Sequence, residues 1–237
     1  CGVLSALLAE KGFTGPATIF EGRDGFLRAY SYKDTYDGTR IIHGLGEKWE
    51  MLETSIKVHA CCRWTGPFID CTLDIMRKHP IDVEKIEEVF ATSSSMAIQA
   101  LTEPVERKLR PRTVVDAQFS LPYGVAVAVV RKKGFVEEFT EESIEDPKIL
   151  SLMPKVRWAV DPEDEKRYPE SYSASVTIKT KDGKEYKSRV EFPKGDPENP
   201  VTVEELEEKF KNLAGNYLGK EKISNLFSQI WGLENLG

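Results

Sequence analysis

Several things are scarce or absent in this 237-residue chain. No apolar run approaches the roughly 20 residues that a membrane-crossing helix needs, so no membrane partner is expected. Positive charge is not in excess: 33 Lys and Arg face 39 Asp and Glu, a formal net charge of −6. That balance argues against nucleic acid as a partner, which calls for a basic face. No glycine-rich phosphate loop and no nucleophile elbow appears. The four cysteines (Cys1, Cys61, Cys62, Cys71) have neither zinc nor C-x-x-C spacing, so no metal is expected of them. They read as reduced thiols of a cytoplasmic protein. No basic stretch precedes the first apolar residues, so no signal peptide is expected. Internal repeats and low-complexity tracts are also missing.

What remains is the profile of a globular protein, with 40% hydrophobic and 30% charged residues. The length suits one large domain or two small ones. The chain opens at Cys1 already inside an apolar helical pattern (Val3, Leu4, Leu7, Leu8) without a cap. That start suggests the C-terminal portion of a longer protein.

Helical patches dominate as far as Trp49. They comprise a helix to Lys11 closed by Gly12, short helices at 17–20 and 25–30, and a loop from Lys33 to Gly46 with a short helix at 39–45. After Trp49 strands mix with helices, which marks a domain boundary. The apolar residues Phe68, Ile69, Leu73, Ile75 and Met76 predict a helix that Pro80 stops. Ile86–Ser93 alternates as a strand. Met96–Leu101 is ambiguous, and 104–112 reads as a charged loop. A helix is predicted over 113–133, kinked or restarted at Pro122 and closed by Gly134. Short helices follow at 140–145 and 147–153, then strands at 155–160 and 173–180. Asp182-Gly183 between alternating runs is the strongest hairpin signal, pairing 173–180 with 185–192. Thr202 with Glu205 forms a capping box that opens a helix, and a last helix spans about 221–231. The expected fold class is α+β: a mixed α+β domain over 49–205, flanked by helices of a separate all-α domain (1–48 and 206–237).

The stretch 55–70 (SIKVHACCRWTGPFID) carries the most chemistry. Ile56 and Val58 flank Lys57 as in a strand that ends at the lysine. Thr65 suits an N-cap and Pro67 a first helical turn. Lys57 and Arg63 beside a helix N-terminus would suit an anion, although a snorkelling lysine on a buried strand fits the same pattern. Arg63 could grip a carboxylate with two hydrogen bonds or brace its own loop. Cys61 and Cys62 read as inert buried thiols unless the helix lowers a pKa. His43 and His59, without an evident partner, are set aside. Tyr123, just after Pro122, is either an ordinary half-buried tyrosine or a donor to a ligand.

Residues 57–70 (KVHACCRWTGPFID) resemble the K-x-Y-P-C-C-R-x-T-H-P-x-I-D signature of the 2-methylcitrate dehydratase (MmgE/PrpD) family. Stretches 6–16 (ALLAEKGFTGP), 116–130 (DAQFSLPYGVAVAVV) and 193–206 (PKGDPENPVTVEEL) resemble it in the same order. Two departures stand out: Gly66 replaces a histidine, and His59-Ala60 replace Tyr-Pro. The resemblance implies a helical domain with an α+β lid, and a cofactor-free, metal-independent lyase or hydro-lyase. Its substrate would be a citrate-like or succinate-like polycarboxylic acid, dehydrated, decarboxylated or epimerised. Lys57 and Tyr123 would be catalytic, with Arg63 binding substrate and further proton-transfer groups in a half preceding Cys1. The full-length protein is expected to be a homodimer. The alternative, drawn from Gly66, is a non-catalytic carboxylate-binding or structural relative. Lys57 and Tyr123 are expected to face one shared cleft.

Overall fold

The computed structural model describes residues 1–32 and 35–235. The chain divides into two compact units, Cys1–Leu52 and Glu53–Gly237. The first holds α1 (Gly2–Glu10) and α2 (Phe26–Tyr30). Gly12, at φ +85°, ends α1 as its position predicts. In α2, Phe26 stacks on Tyr30 with ring centroids 4.6 Å apart. Residues 17–20 form turns where a short helix was expected. Of the expected loop from Lys33, residues 33 and 34 lie outside the described residues. Its later part carries a 3-10 turn at Gly38–Ile41.

The second unit is built on a four-stranded mixed sheet, which makes the fold α+β. Its strands are β1 (Ile86–Ser93), β2 (Val156–Val160), β3 (Ala174–Thr180) and β4 (Glu185–Val190). Their order is β2-β1-β3-β4, with β1 and β2 parallel and the other neighbours antiparallel. β3 and β4 form the hairpin that Asp182-Gly183 announces, and Gly183 takes the left-handed φ of +82° that the turn requires. The connection from β1 to its parallel neighbour β2 carries helices, as a parallel crossover must. These are α4 (Ser95–Thr102), α5 (Val105–Leu109), α6 (Val114–Gln118), α7 (Leu121–Arg131), α8 (Glu141–Ile144) and α9 (Pro147–Leu152). The ambiguous 96–101 is therefore helical, and the charged loop contains a helical turn.

The predicted helix over 113–133 is two helices, α6 and α7. Ser120 separates them, its hydroxyl accepting the Tyr123 N–H at 3.1 Å, with Pro122 in the first turn of α7. Lys132, at φ 56°, closes α7 ahead of the expected Gly134. Every residue of α7 from Leu121 to Val129 is buried, as its all-round apolar sequence demands. Helix α3 (Gly66–Lys78) packs between α7 and the β3–β4 side of the sheet. Phe68, Ile69, Cys71 and Ile75 of α3 supply core. After β2 comes α10 (Pro162–Arg167), and after β4 come α11 (Val203–Ala214) and α12 (Lys220–Trp231). The Thr202/Glu205 capping box forms as read.

One sequence expectation fails at the place that matters most. Residues 54–58 belong to no strand or helix. Alternation in side chains cannot supply a ladder partner, and this stretch runs along loops, not along a sheet edge.

Candidate functional site

The segment that carries Lys57 is held by a series of loop contacts. The Ile56 N–H donates to Gly195 O at 2.8 Å, the Ala60 N–H to Gly134 O at 3.2 Å, and the Cys62 N–H to Gln118 O at 2.9 Å. Gln118 returns a side-chain donor to Ala60 O at 2.8 Å, and the Lys209 ammonium donates to Lys57 O at 2.6 Å. Gly195 sits at φ +98°, and a Cβ there would lie 1.9 Å from Ile56 O. Only glycine permits that approach. The segment's course is thus fixed by backbone hydrogen bonds to two loops and to the C-terminal residue of α6.

Between this segment, the start of α3 and the loop after β4 lies a cleft of about 120 Å³. Lys57, His59, Arg63, Asp70, Lys194 and Asp196 line it, together with the thiols of Cys61 and Cys62. Lys57 is exposed, and its ammonium has no ionic or hydrogen-bond partner among the described residues. The other cations are engaged. Arg63 donates to Asp196 Oδ2 at 2.8 Å and lies 4.5 Å from the Tyr172 ring centroid. The Lys194 ammonium is 3.0 Å from Glu205. Arg63 therefore braces the loop after β4 and also lines the cleft.

Cys61 is buried and Cys62 half-buried. Burial drives the Cys61 thiol far above its ordinary range, against the smaller downward pull of the Lys57 charge. It is an inert neutral thiol, as the sequence suggested. Among the described residues no cluster of three His, Cys, Asp or Glu side chains could hold a metal ion.

Tyr123 lies elsewhere. It is fully buried, its hydroxyl donates to Glu138 O at 2.7 Å, and its ring packs on Phe139 at 5.6 Å. Burial raises the phenol above its usual range. Tyr123 does not line the cleft, so the expected cleft shared with Lys57 is not formed. The reason is the all-apolar character of α7, which is enclosed on every side and takes its first-turn tyrosine with it.

Residues 59–233 match the MmgE/PrpD C-terminal domain. The chain belongs to the MmgE/PrpD family. Among curated proteins it is 24% identical over 247 residues to the cis-aconitate decarboxylase-like protein oryM of Aspergillus oryzae, covering 98% of this chain and 50% of that protein. It is 23% identical to the cis-aconitate decarboxylase of Aspergillus terreus (99% and 50% covered) and 22% identical to that of Mus musculus (99% and 48%). The chain spans about half the length of the curated relatives it matches. No helix among the described residues is long and apolar enough to cross a membrane.

The residue pair that sequence reasoning passed over is His59 with Asp70. His59 Nε2 is 2.7 Å from Asp70 Oδ1, and Nδ1 is 3.2 Å from Gly134 O. Asp70 Oδ2 accepts the Lys194 N–H at 3.0 Å. Both side chains are at most 14% exposed. The available signal was spacing: a helix starting at residue 66 puts Asp70 one turn in, facing back toward the loop that holds His59.

Proposed function

We propose that this chain is the C-terminal portion of a lyase that acts on a small polycarboxylic acid. The observation that carries the reading is Lys57, an ammonium with no partner among the described residues, on a backbone-clamped segment beside Arg63 and the N-terminus of α3. A substrate with two or three carboxylates needs converging cations and donors, and the chain is otherwise acidic. The names of the relatives favour decarboxylation of a cis-aconitate-like tricarboxylate. In that reaction the carbon–carboxylate bond breaks, carbon dioxide leaves, and the electron pair spreads through the adjacent double bond toward a conjugated carboxylate. A proton then adds at one end of that allylic system. Lys57, held near the conjugated carboxylate, stabilises the charge that builds there more than it stabilises the bound acid. Arg63, fixed by Asp196 and Tyr172, orients a second carboxylate. Elimination of water from a citrate-like acid would use the same charge stabilisation.

The test is carbon dioxide release from cis-aconitate, and formation of unsaturated acid from citrate or 2-methylcitrate, each supplied in turn to the full-length protein. Turnover of one of these, lowered at least a hundredfold by Lys57→Ala with the unfolding midpoint unchanged, is the expected result. Full activity in Lys57→Ala refutes the role given to Lys57. A non-catalytic carboxylate-binding relative is the second reading, favoured by the burial of Tyr123. It predicts citrate binding that depends on Lys57 without turnover of any acid.

A further inference from the structure

Lys57 belongs to no strand, so its place in the cleft depends on single bonds. The backbone clamps at Ile56 and Ala60 stand on either side of it. Between them, among the described residues, the backbone of residues 57–59 makes one hydrogen bond, from the Lys209 ammonium to the Lys57 carbonyl at 2.6 Å. A bond from a charged donor is stronger than a neutral one.

Lys209 is half-buried and sits on α11, one turn after Glu205 on the same face. The Glu205 carboxylate is 3.0 Å from the Lys194 ammonium, and the Lys194 N–H donates to Asp70 in the cleft wall. One face of α11 therefore reaches both the segment that carries Lys57 and the loop after β4. The capping box at Thr202 and Glu205 fixes the start of this helix. Close packing does not set the distance between α11 and the segment. A cavity of about 270 Å³ is lined by Ile56 and Val58 of the segment and by Leu206 and Lys209 of α11. The ammonium-to-carbonyl bond spans what side-chain contact leaves open.

We propose that Lys209 is the positioning residue for Lys57, and that through it α11 sets where the Lys57 ammonium stands in the cleft. Lys209 touches no substrate in this role, because its own ammonium is engaged by the carbonyl. The inference rests on the role given to Lys57 in the polycarboxylate reading, and it adds a residue of a distant helix to the site. Lys57 acts on charge that builds in the transition state, and a displacement of about 1 Å can cost about a hundredfold in rate. Loss of Lys209 therefore falls on kcat more than on KM.

The test uses the full-length protein. Lys209→Met keeps the stem and removes the donor, whereas Lys209→Arg keeps a donor. Lys209→Met is expected to lower kcat at least fivefold on the acid turned over, with KM within about twofold and the unfolding midpoint unchanged. Lys209→Arg should stay within about twofold of the wild type. Hydrogen exchange at the Ile56 and Ala60 amides should quicken at least threefold in Lys209→Met and not in Lys209→Arg. In a Lys57→Ala background, Lys209→Met should add no further loss, because no ammonium is left to position. A merely structural loosening would lower both backgrounds alike, and that result overturns the proposal. Unchanged kcat in Lys209→Met, or unchanged exchange at both amides, overturns it too while the lyase reading stands on Lys57→Ala. Full activity in Lys57→Ala overturns both. If the wild type binds citrate without turning over any acid, the lyase reading fails and citrate affinity replaces kcat. A fall of at least fivefold in Lys209→Met then supports the positioning role, and unchanged affinity overturns it. A wild type that neither binds nor reacts overturns both.

Discussion

Replacing Tyr123 by phenylalanine separates the buried tyrosine seen in the structure from the pocket tyrosine expected from the family signature. The substitution removes one oxygen and leaves the ring on Phe139. What is lost is a 2.7 Å hydrogen bond to the Glu138 carbonyl in a fully buried setting. A neutral intramolecular bond contributes about 1 kcal/mol net, and stranding a buried acceptor costs about 1–3 kcal/mol. The new side chain is more apolar and the carbonyl keeps a second lone pair, so the expected loss is about 1–2 kcal/mol. For a unit of this size each kcal/mol corresponds to roughly 2–4 °C in melting temperature. Urea unfolding followed by tryptophan fluorescence should show a lower midpoint at an unchanged slope. Turnover by the full-length protein should stay within about twofold. An unchanged midpoint combined with a tenfold or greater fall in turnover would refute the structural role and return Tyr123 to the site.

Gly195→Ala should cost at least about 2 kcal/mol, since left-handed strain alone is worth about 1–3 kcal/mol and the new Cβ would overlap Ile56 O. Faster hydrogen exchange at the Ile56 amide would register the released segment, and a change below about 0.5 kcal/mol would show that the clamp is unimportant. Arg63→Ala should lose about 1–2 kcal/mol, a figure reduced because the arginine is 38% exposed, while its Asp196 partner is only 7% exposed. Part of that loss should return in the Arg63→Ala/Asp196→Ala double variant, and no coupling in the cycle would mean that the arginine does not brace the loop. Alkylation at pH 8 should label exposed Cys1 quickly and spare Cys61 and Cys71 until the protein unfolds. Burial pushes the Cys71 thiol up to about 12 and Cys61 higher, so neither holds appreciable thiolate at that pH. Rapid native labelling of either would contradict their burial.

Local features were legible wherever one stretch of chain contains its own cause. The Asp182-Gly183 hairpin, the Thr202/Glu205 capping box and the apolar face of α3 are set by residues a few positions apart, and all three form as read. The signature stretch is local too, and its Lys57 and Arg63 both line one cleft. Tertiary structure decided the rest. Residues 55–58 alternate like a strand, yet whether they become one depends on an edge to pair with, and the partners here are single bonds from distant loops. Tyr123 reads the same in sequence whether its helix borders a cleft or the core; only the enclosure of α7 on all sides settles that. His59 was passed over because its partners, Asp70 and Gly134, come from other elements of the fold. A histidine's chemistry is set by what faces its two nitrogens, and folding alone assembles those neighbours.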